Sequence, residues 1–444
     1  MNPRLLQSPG GNSGLTGIPL PFNVSLMKRP SPLRILCLPA LLAFLSGCTI
    51  PDNTAEMWTN IPEMAAYADQ FNAGQSEFRV KVVYKENPGQ ALRTDPVIPD
   101  LVIGTGLNSI RYSTVFSDLS PLFDEKRGSL REETFYPDLL NLGRRGDQLL
   151  ALPLSFNLPV LYYRNDSAAA AGEASALPDQ SVIRERSRAF ALQSAPDFPV
   201  RGFSPLWNGA YIYSIAQLEG TGFHESESGQ PQWDDKLLES TLQDAAGWAE
   251  PSTGGMAEEL NFMEKYLYQP AYKLVNRGRI LYSYTNTWDF YQIPATERRN
   301  LRILWVSDGS RVPAGDSILF GAIPRKGEDK KAAGEFLSWF LQARTQKSLL
   351  ESAQFRRIRS FGIARGFSSL ILVNELDFPV YYPTLLGIFP NQRQILFPSV
   401  LPAEWDRVRS EVVTGWLTGR LKDPRGTVPL TEAVRNWYNQ NSRN

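Results

Sequence analysis

Histidine is almost absent from this chain: His224 is the single one among 444 residues, and cysteine is limited to Cys37 and Cys48. One imidazole leaves little room for histidine acid–base chemistry, and the Cys/His ligand sets of a zinc site cannot be assembled. No excess of either charge exists, since 46 Lys and Arg face 46 Asp and Glu, so charge gives no reason to expect a nucleic-acid partner. The GxxxxGK[ST] phosphate loop, HExxH and GxSxG are all missing. Gly104-Thr-Gly106-Leu-Asn-Ser109 begins like a dinucleotide fingerprint but carries serine where the third glycine should let helix and strand pack. It therefore reads as a loop whose backbone approaches a ligand, and no cofactor or metal is expected. Carboxylate chemistry stays open, because the fold and not sequence spacing sets a hydrolytic acid pair; Asp289 and Asp316 are two of many candidates.

What the chain does have is apolar and aromatic material. Hydrophobic residues make up 42% and charged residues 21%, which excludes a disordered or fibrous chain and suits two or three domains. Ten Trp, 17 Tyr and 23 Phe supply flat faces able to hold a ligand. His224 sits among Gly222, Glu225 and Gly229, a polar loop setting that suits a surface histidine.

The front of the chain reads as an address. Its first 47 residues hold four basic side chains (Arg4, Lys28, Arg29, Arg34) and no acidic one. Ile35 to Leu45 is an apolar run of 11 residues, short of the ~20 needed to span a bilayer but suited to the core of a signal peptide. It ends in Leu45-Ser46-Gly47-Cys48, which resembles the bacterial lipobox, where the thiol is lipidated and the peptide is cut just before it. The expectation is a signal region over 1–47, with translation starting at Met1 or at Met27 (signal peptide 27–47), lipid on Cys48 and a tether over 48–55. Several acyl chains anchor stably where one binds only marginally. No second apolar run of membrane-spanning length follows.

From Glu56 the pattern alternates. Glu56–Thr59 reads as a strand, Ile61–Phe71 as a helix, Phe78–Tyr84 and Leu101–Ile103 as strands, which predicts an α/β fold with mostly parallel sheets. Leu149–Tyr163, with prolines at 153 and 159, suits extended segments crossing between lobes. Ser167–Ala176 is Ala/Ser/Gly-rich and reads as an exposed, mobile segment. Ala333, Phe336, Leu337, Phe340 and Leu341 mark a clear helical stripe. An amphipathic pair over about 403–417 and 430–438 closes the chain, joined by a turn at 419–426.

In this order, several segments resemble the extracellular solute-binding proteins of family 1, the carbohydrate-type receptors of ABC importers, of which maltose-binding protein is one type. They are Glu56-Met-Trp-Thr-Asn60, Pro99-Asp-Leu-Val-Ile103, Leu150-Ala-Leu-Pro-Leu154 with Val160-Leu-Tyr-Tyr-Arg-Asn-Asp166, Gly278 to Trp288, and Lys330 to Phe340. The similarity is spread over most of 56–440. Departures fall at Ala168–Ala171 and Leu177-Pro-Asp179, and at Leu281-Tyr282, where the family has an Ala-Met strand. The resemblance implies a type II periplasmic-binding-protein architecture: two α/β lobes, 56–155 plus 315–390 and 156–314 plus 391–444. Their hinge would lie at Ser155–Pro159, with returns near 313–319 and 385–397.

Carried residue by residue, it implies that Asn60, Thr105 and Asn108 lie on ligand loops of the first lobe. Asn157 falls on the crossing segment, where a family member has an acidic contact. Trp207, Asn208 and Tyr211 fall in the second lobe's cleft loop, Trp288 with Asp289 at the stacking position, and Trp405 near a C-terminal aromatic contact; Trp58 is a further candidate. An aromatic plane packs on the apolar face of a pyranose while amides and carboxylates satisfy its hydroxyls. Core packing is the competing role for each Trp; the polar neighbours Thr285, Asn286, Thr287 and Asp289 favour the cleft for Trp288. The implied function is a non-enzymatic, lipid-anchored, extracytoplasmic subunit binding a small polar solute, a carbohydrate by resemblance, and passing it to ABC permease subunits in the membrane. A lipid-anchored glycoside hydrolase, or a binding fold repurposed for signalling or as a structural lipoprotein, are the alternatives.

Overall fold

The computed structural model describes residues 53–124, 126, 128–167, 176–253, 255–356 and 360–441. The expected signal region, Cys48 and most of the Ala/Ser/Gly-rich stretch lie outside them. Among the described residues no helix is long and apolar enough to cross a membrane.

The first alternating pattern folds as its periodicities dictate. Strand β1 (Thr54–Thr59), helix α1 (Glu63–Gly74) and strands β2 (Arg79–Tyr84) and β3 (Leu101–Thr105) form one unit, β1 pairing in parallel with both other strands. Helix α1 buries Met64, Tyr67, Ala68 and Phe71, one stripe at helical spacing. Phe71 meets Phe336 edge-on at 5.4 Å and Tyr67 lies 5.6 Å from Phe340. Burial of such side chains contributes about 1.5–3 kcal/mol each, and edge-on ring geometry adds to it.

Beyond β3 the chain makes β4 (Leu152–Phe156), β5 (Pro159–Arg164), α2 (Gly209–Leu218), β6 (Ser283–Asn286), α3 (Thr287–Gln292), β7 (Leu301–Trp305), β8 (Leu319–Ala322), α4 (Lys330–Phe340), α5 (Ala343–Phe355) and β9 (Phe367–Ser368). Six strands form one sheet in the order β9-β4-β8-β3-β1-β2. It is mixed, because β8 runs antiparallel to both β3 and β4. The second sheet, β6-β5-β7, is antiparallel throughout, where a mostly parallel one was expected. Its central strand β5 runs opposite to both neighbours, while β6 and β7, joined through α3, run the same way on either side of it.

The chain passes between the sheets at Asn157–Leu158, where β4 ends and β5 begins, and returns through 306–318 into β8. A short parallel pair, Val312–Pro313 with Ile395–Leu396, joins this return to a later segment. The C-terminal helix expected over 403–417 runs from Trp405 to Lys422 and contains a π-turn at Arg409–Val413; a last helix spans Leu430–Asn441.

Candidate functional site

The crossing segments leave a cleft of about 990 Å³. From the six-stranded side it is lined by Asn60, Thr105 and Arg365, from the other by Asn286, Trp288, Asp289 and the start of the C-terminal helix, with Ser155 and Asn157 at its base. A recess of about 380 Å³ shares Asn157, Asn286, Asp289 and Ser317 with it and continues to Asn208, Tyr213, Tyr284 and Arg409. The walls are rich in charge and amide groups, and Trp288 is the aromatic side chain of the main cleft.

Of the residues singled out from sequence, Asn60, Thr105, Asn157, Trp288 and Asp289 share the main cleft, and Asn208 reaches the recess. Asn157 is fully engaged: its Nδ2 donates to the Arg365 carbonyl at 2.8 Å, and its Oδ1 accepts from Thr287 Oγ1 at 2.9 Å and the Trp288 N–H at 3.2 Å. It thus ties the two walls together where the chain crosses between the sheets. Asn286 caps α3 by accepting the Asp289 N–H at 2.9 Å and donates to the Asp289 carboxylate at 2.7 Å. Solvent reaches Asp289, yet the surrounding walls desolvate it and push its pKa up, partly offset by that hydrogen bond. Trp288 is half-buried, its indole N–H has no hydrogen-bond partner among the described residues, and the Arg365 guanidinium lies over its ring.

The other sequence candidates lie elsewhere. Trp58 is 1% exposed, with its indole donating to Glu56 at 2.8 Å and the Lys85 ammonium 4.3 Å above its ring. Trp207 stacks on Phe262 at 6.1 Å and donates to Glu259. Tyr211 is 1% exposed and donates to Gln180, facing away from the recess, while Tyr213, two residues on, faces it. A helix rotates about 100° per residue, so this two-residue step turns to another face. Asn108 donates to the Leu142 carbonyl at 3.2 Å in a narrow crevice that Trp405 also lines. The close backbone approach expected near Gly106 is to Ala403 of the chain itself.

Sequence reasoning named Asp316 only as one hydrolytic candidate and missed the cluster around it. Asp316 lies on the return crossing with its side chain 1% exposed. It accepts from Tyr213 Oη at 2.5 Å, Gln217 Nε2 at 2.7 Å and Trp405 Nε1 at 3.0 Å, and the Arg409 guanidinium stands 4.0 Å away. Burial raises its pKa despite these partners. The same burial pushes Tyr284 up to about 12. Arg409 reaches the recess from the π-turn and donates to Ser317 at 2.9 Å. This arrangement orients donors and fixes the crossing.

Further polar contacts tie later segments of the chain to the loop that follows β3. Glu225, on the ribbon His224–Glu225/Pro231–Gln232, accepts from Ser109 Oγ at 2.6 Å and the Ile110 N–H at 2.8 Å, with Arg145 at 3.6 Å. Glu404 pairs with Arg111 and lies 3.7 Å from Arg93.

No family model and no curated protein matches this sequence. Among solved structures, the chain is similar to the sugar-binding protein MalE from the phytopathogen Xanthomonas citri, with a TM-score of 0.65 and 12% identity over 87% of this chain and 96% of that one. It is also similar to an ABC substrate-binding protein from Listeria monocytogenes in complex with cycloalternan, with a TM-score of 0.55 and 12% identity over 87% of this chain and 97% of that one. At this identity the likeness is one of fold: the chain has the mixed α/β, two-lobe architecture of the periplasmic binding proteins.

Proposed function

We propose that the protein is the solute-binding subunit of an ABC importer and that the cleft around Asn157 and Trp288 holds a saccharide. The observation that carries this reading is the cleft itself: a large polar space at the crossing of two sheets, with one half-buried indole among amides and carboxylates. An indole face offers a pyranose its apolar contact, while side-chain amides, hydroxyls and charges take up the hydroxyl groups. The lobes are then 56–155 plus 315–390 and 156–314 plus 391–444, hinged at Asn157. Ligand touching both walls favours the closed form by its differential affinity alone. The solved neighbours, a sugar-binding protein and an ABC substrate-binding protein, support this role and its permease partner. Lipid on Cys48 would hold the protein on the extracytoplasmic face of a membrane. Cys48→Ser in the full chain should release it to the soluble fraction, which membrane fractionation measures.

The test is a thermal-shift screen of the mature protein against saccharides, polyols, amino acids and polyamines. A specific ligand at a hundred times its dissociation constant should stabilise the fold by about 2.7 kcal/mol. Trp288→Ala should abolish that shift and leave the unliganded melting point nearly unchanged. A response to amino acids or polyamines alone, or steady hydrolysis of an oligosaccharide, would overturn the reading.

A further inference from the structure

We propose that Arg365 reads the solute, its guanidinium holding two adjacent hydroxyl groups of a neutral saccharide whose ring lies against Trp288; this rests on the cleft being the solute site. Three independent observations lead to it.

Backbone geometry is the first. Ile363 and Gly366 exchange both backbone hydrogen bonds, at 2.9 and 3.0 Å, around a two-residue turn. Its central residues, Ala364 at φ 47° and Arg365 at φ 67°, are the non-glycine residues with left-handed backbone among the described residues. A turn of this kind favours Asn-Gly, and side chains at both positions carry steric strain. Neighbours hold the strain in place: Tyr67 Oη accepts the Ala364 N–H at 3.2 Å, Ser155 Oγ donates to the Ala364 carbonyl at 2.9 Å, and Asn157 Nδ2 holds the Arg365 carbonyl. Strain of this kind persists where the surroundings over-determine it, and such places cluster at functional sites. Here it fixes the direction in which residue 365 leaves the chain.

The second observation is the state of the guanidinium. It lines the cleft, is 36% exposed, and donates no hydrogen bond to any described residue. Glu63 stands 3.4 Å from its Nε, outside hydrogen-bond alignment, and balances its charge. The other cations of the cleft are engaged: Lys85 donates to Asp95 at 2.6 Å, and Arg407 to Glu411 at 3.3 Å. An arginine carries five N–H donors in a fixed fork suited to paired oxygens. The third is place: the guanidinium lies over the Trp288 ring, its central carbon 5.4 Å from the ring centre, so fork and indole are in direct contact where both line the cleft.

Charge decides the class of oxygen. Carboxylates in the cleft outnumber cationic side chains, and Glu63 already balances Arg365, so neutral hydroxyls are favoured over a carboxylate.

The experiment titrates wild type, Arg365→Ala, Arg365→Gly and Trp288→Ala with neutral di- and trisaccharides and their hexuronate counterparts, by calorimetry and by melting of the unliganded proteins. The expected result is tenfold or greater loss of affinity in both Arg365 variants. Unliganded Arg365→Gly should melt about 1–2 °C above Arg365→Ala, because glycine relieves the left-handed strain. Retained affinity in Arg365→Ala, with affinity lost in Trp288→Ala, overturns the role of Arg365 and leaves the cleft assignment standing. Preferential binding of hexuronates overturns the neutral class. If wild type binds no member, the saccharide reading fails and this inference with it.

Discussion

Asp316 shows what a single buried side chain does for this architecture. Three donors and one guanidinium converge on a carboxyl group that water barely reaches. Removing it leaves those groups buried without their acceptor, and Asp316→Ala should destabilise the fold by about 3–5 kcal/mol in urea unfolding. Asp316→Asn keeps an acceptor and should lose distinctly less. The pH dependence has a definite sign. The folded-state pKa lies above the ordinary 3.8, so the folded protein holds this proton more tightly than the unfolded chain. The stability this contributes is present below 3.8 and is lost as pH rises through the folded value. The stability difference between wild type and Asp316→Asn should therefore shift against wild type as pH rises from about 4. A flat difference across the acid range would show that folding leaves the Asp316 pKa unshifted, and a shift against wild type as pH falls would show that it stays ionised. At this same scale Tyr211 and Tyr213 mark the limit of sequence reading: both are aromatic on one helix, and only packing decides which faces the recess.

Among the elements, the short ones position the site. Helix α2 begins at Asn208, whose side chain accepts the Ala210 N–H at 2.9 Å, and its absent Cβ at Gly209 lets it lie against the Thr414 carbonyl of the C-terminal helix. Any side chain there meets that backbone, so Gly209→Ala should lower the melting temperature and blunt ligand binding together. The ribbon carrying Glu225 docks on the loop that follows β3. Glu225→Ala leaves Ser109 Oγ and the Ile110 N–H without their acceptor and should cost about 1–3 kcal/mol. Glu225→Gln, which keeps a carbonyl acceptor, should cost less; equal losses in chemical denaturation would mean that the charge toward Arg145 dominates. The longer elements were legible beforehand. Helix α4 came from its apolar stripe and β1 to β3 from their apolar runs. The antiparallel second sheet was not, because strand direction follows from connections over more than a hundred residues.

On the scale of the whole molecule, the fold places two sheets on either side of a cleft and crosses between them at Asn157. Solute binding is expected to draw the walls together, visible as a smaller radius of gyration in small-angle X-ray scattering with saccharide present; an unchanged value under saturation would mean that the walls are already closed without ligand. Glu225 and Glu404 tie later segments to residues 109–111, which follow β3, so the change should be larger in Glu225→Ala. The resemblance of scattered segments to solute-binding proteins anticipated this architecture, because order and spacing of apolar runs constrain the layers they can form.

By itself the sequence determined the alternation of strands and helices, the apolar stripes that bury them, the poverty in histidine and cysteine, and the apolar run ending at Cys48. All are local, readable within a dozen residues. Only the tertiary structure decided which polar and aromatic groups share the cleft. It set Trp288 there and packed Trp58 and Trp405 away, brought Tyr213, Gln217 and Arg409 to Asp316, and placed Arg365 over the Trp288 ring. Trp288 and Arg365 stand far apart along the chain, and no local pattern records a meeting that only the crossing of two sheets brings about.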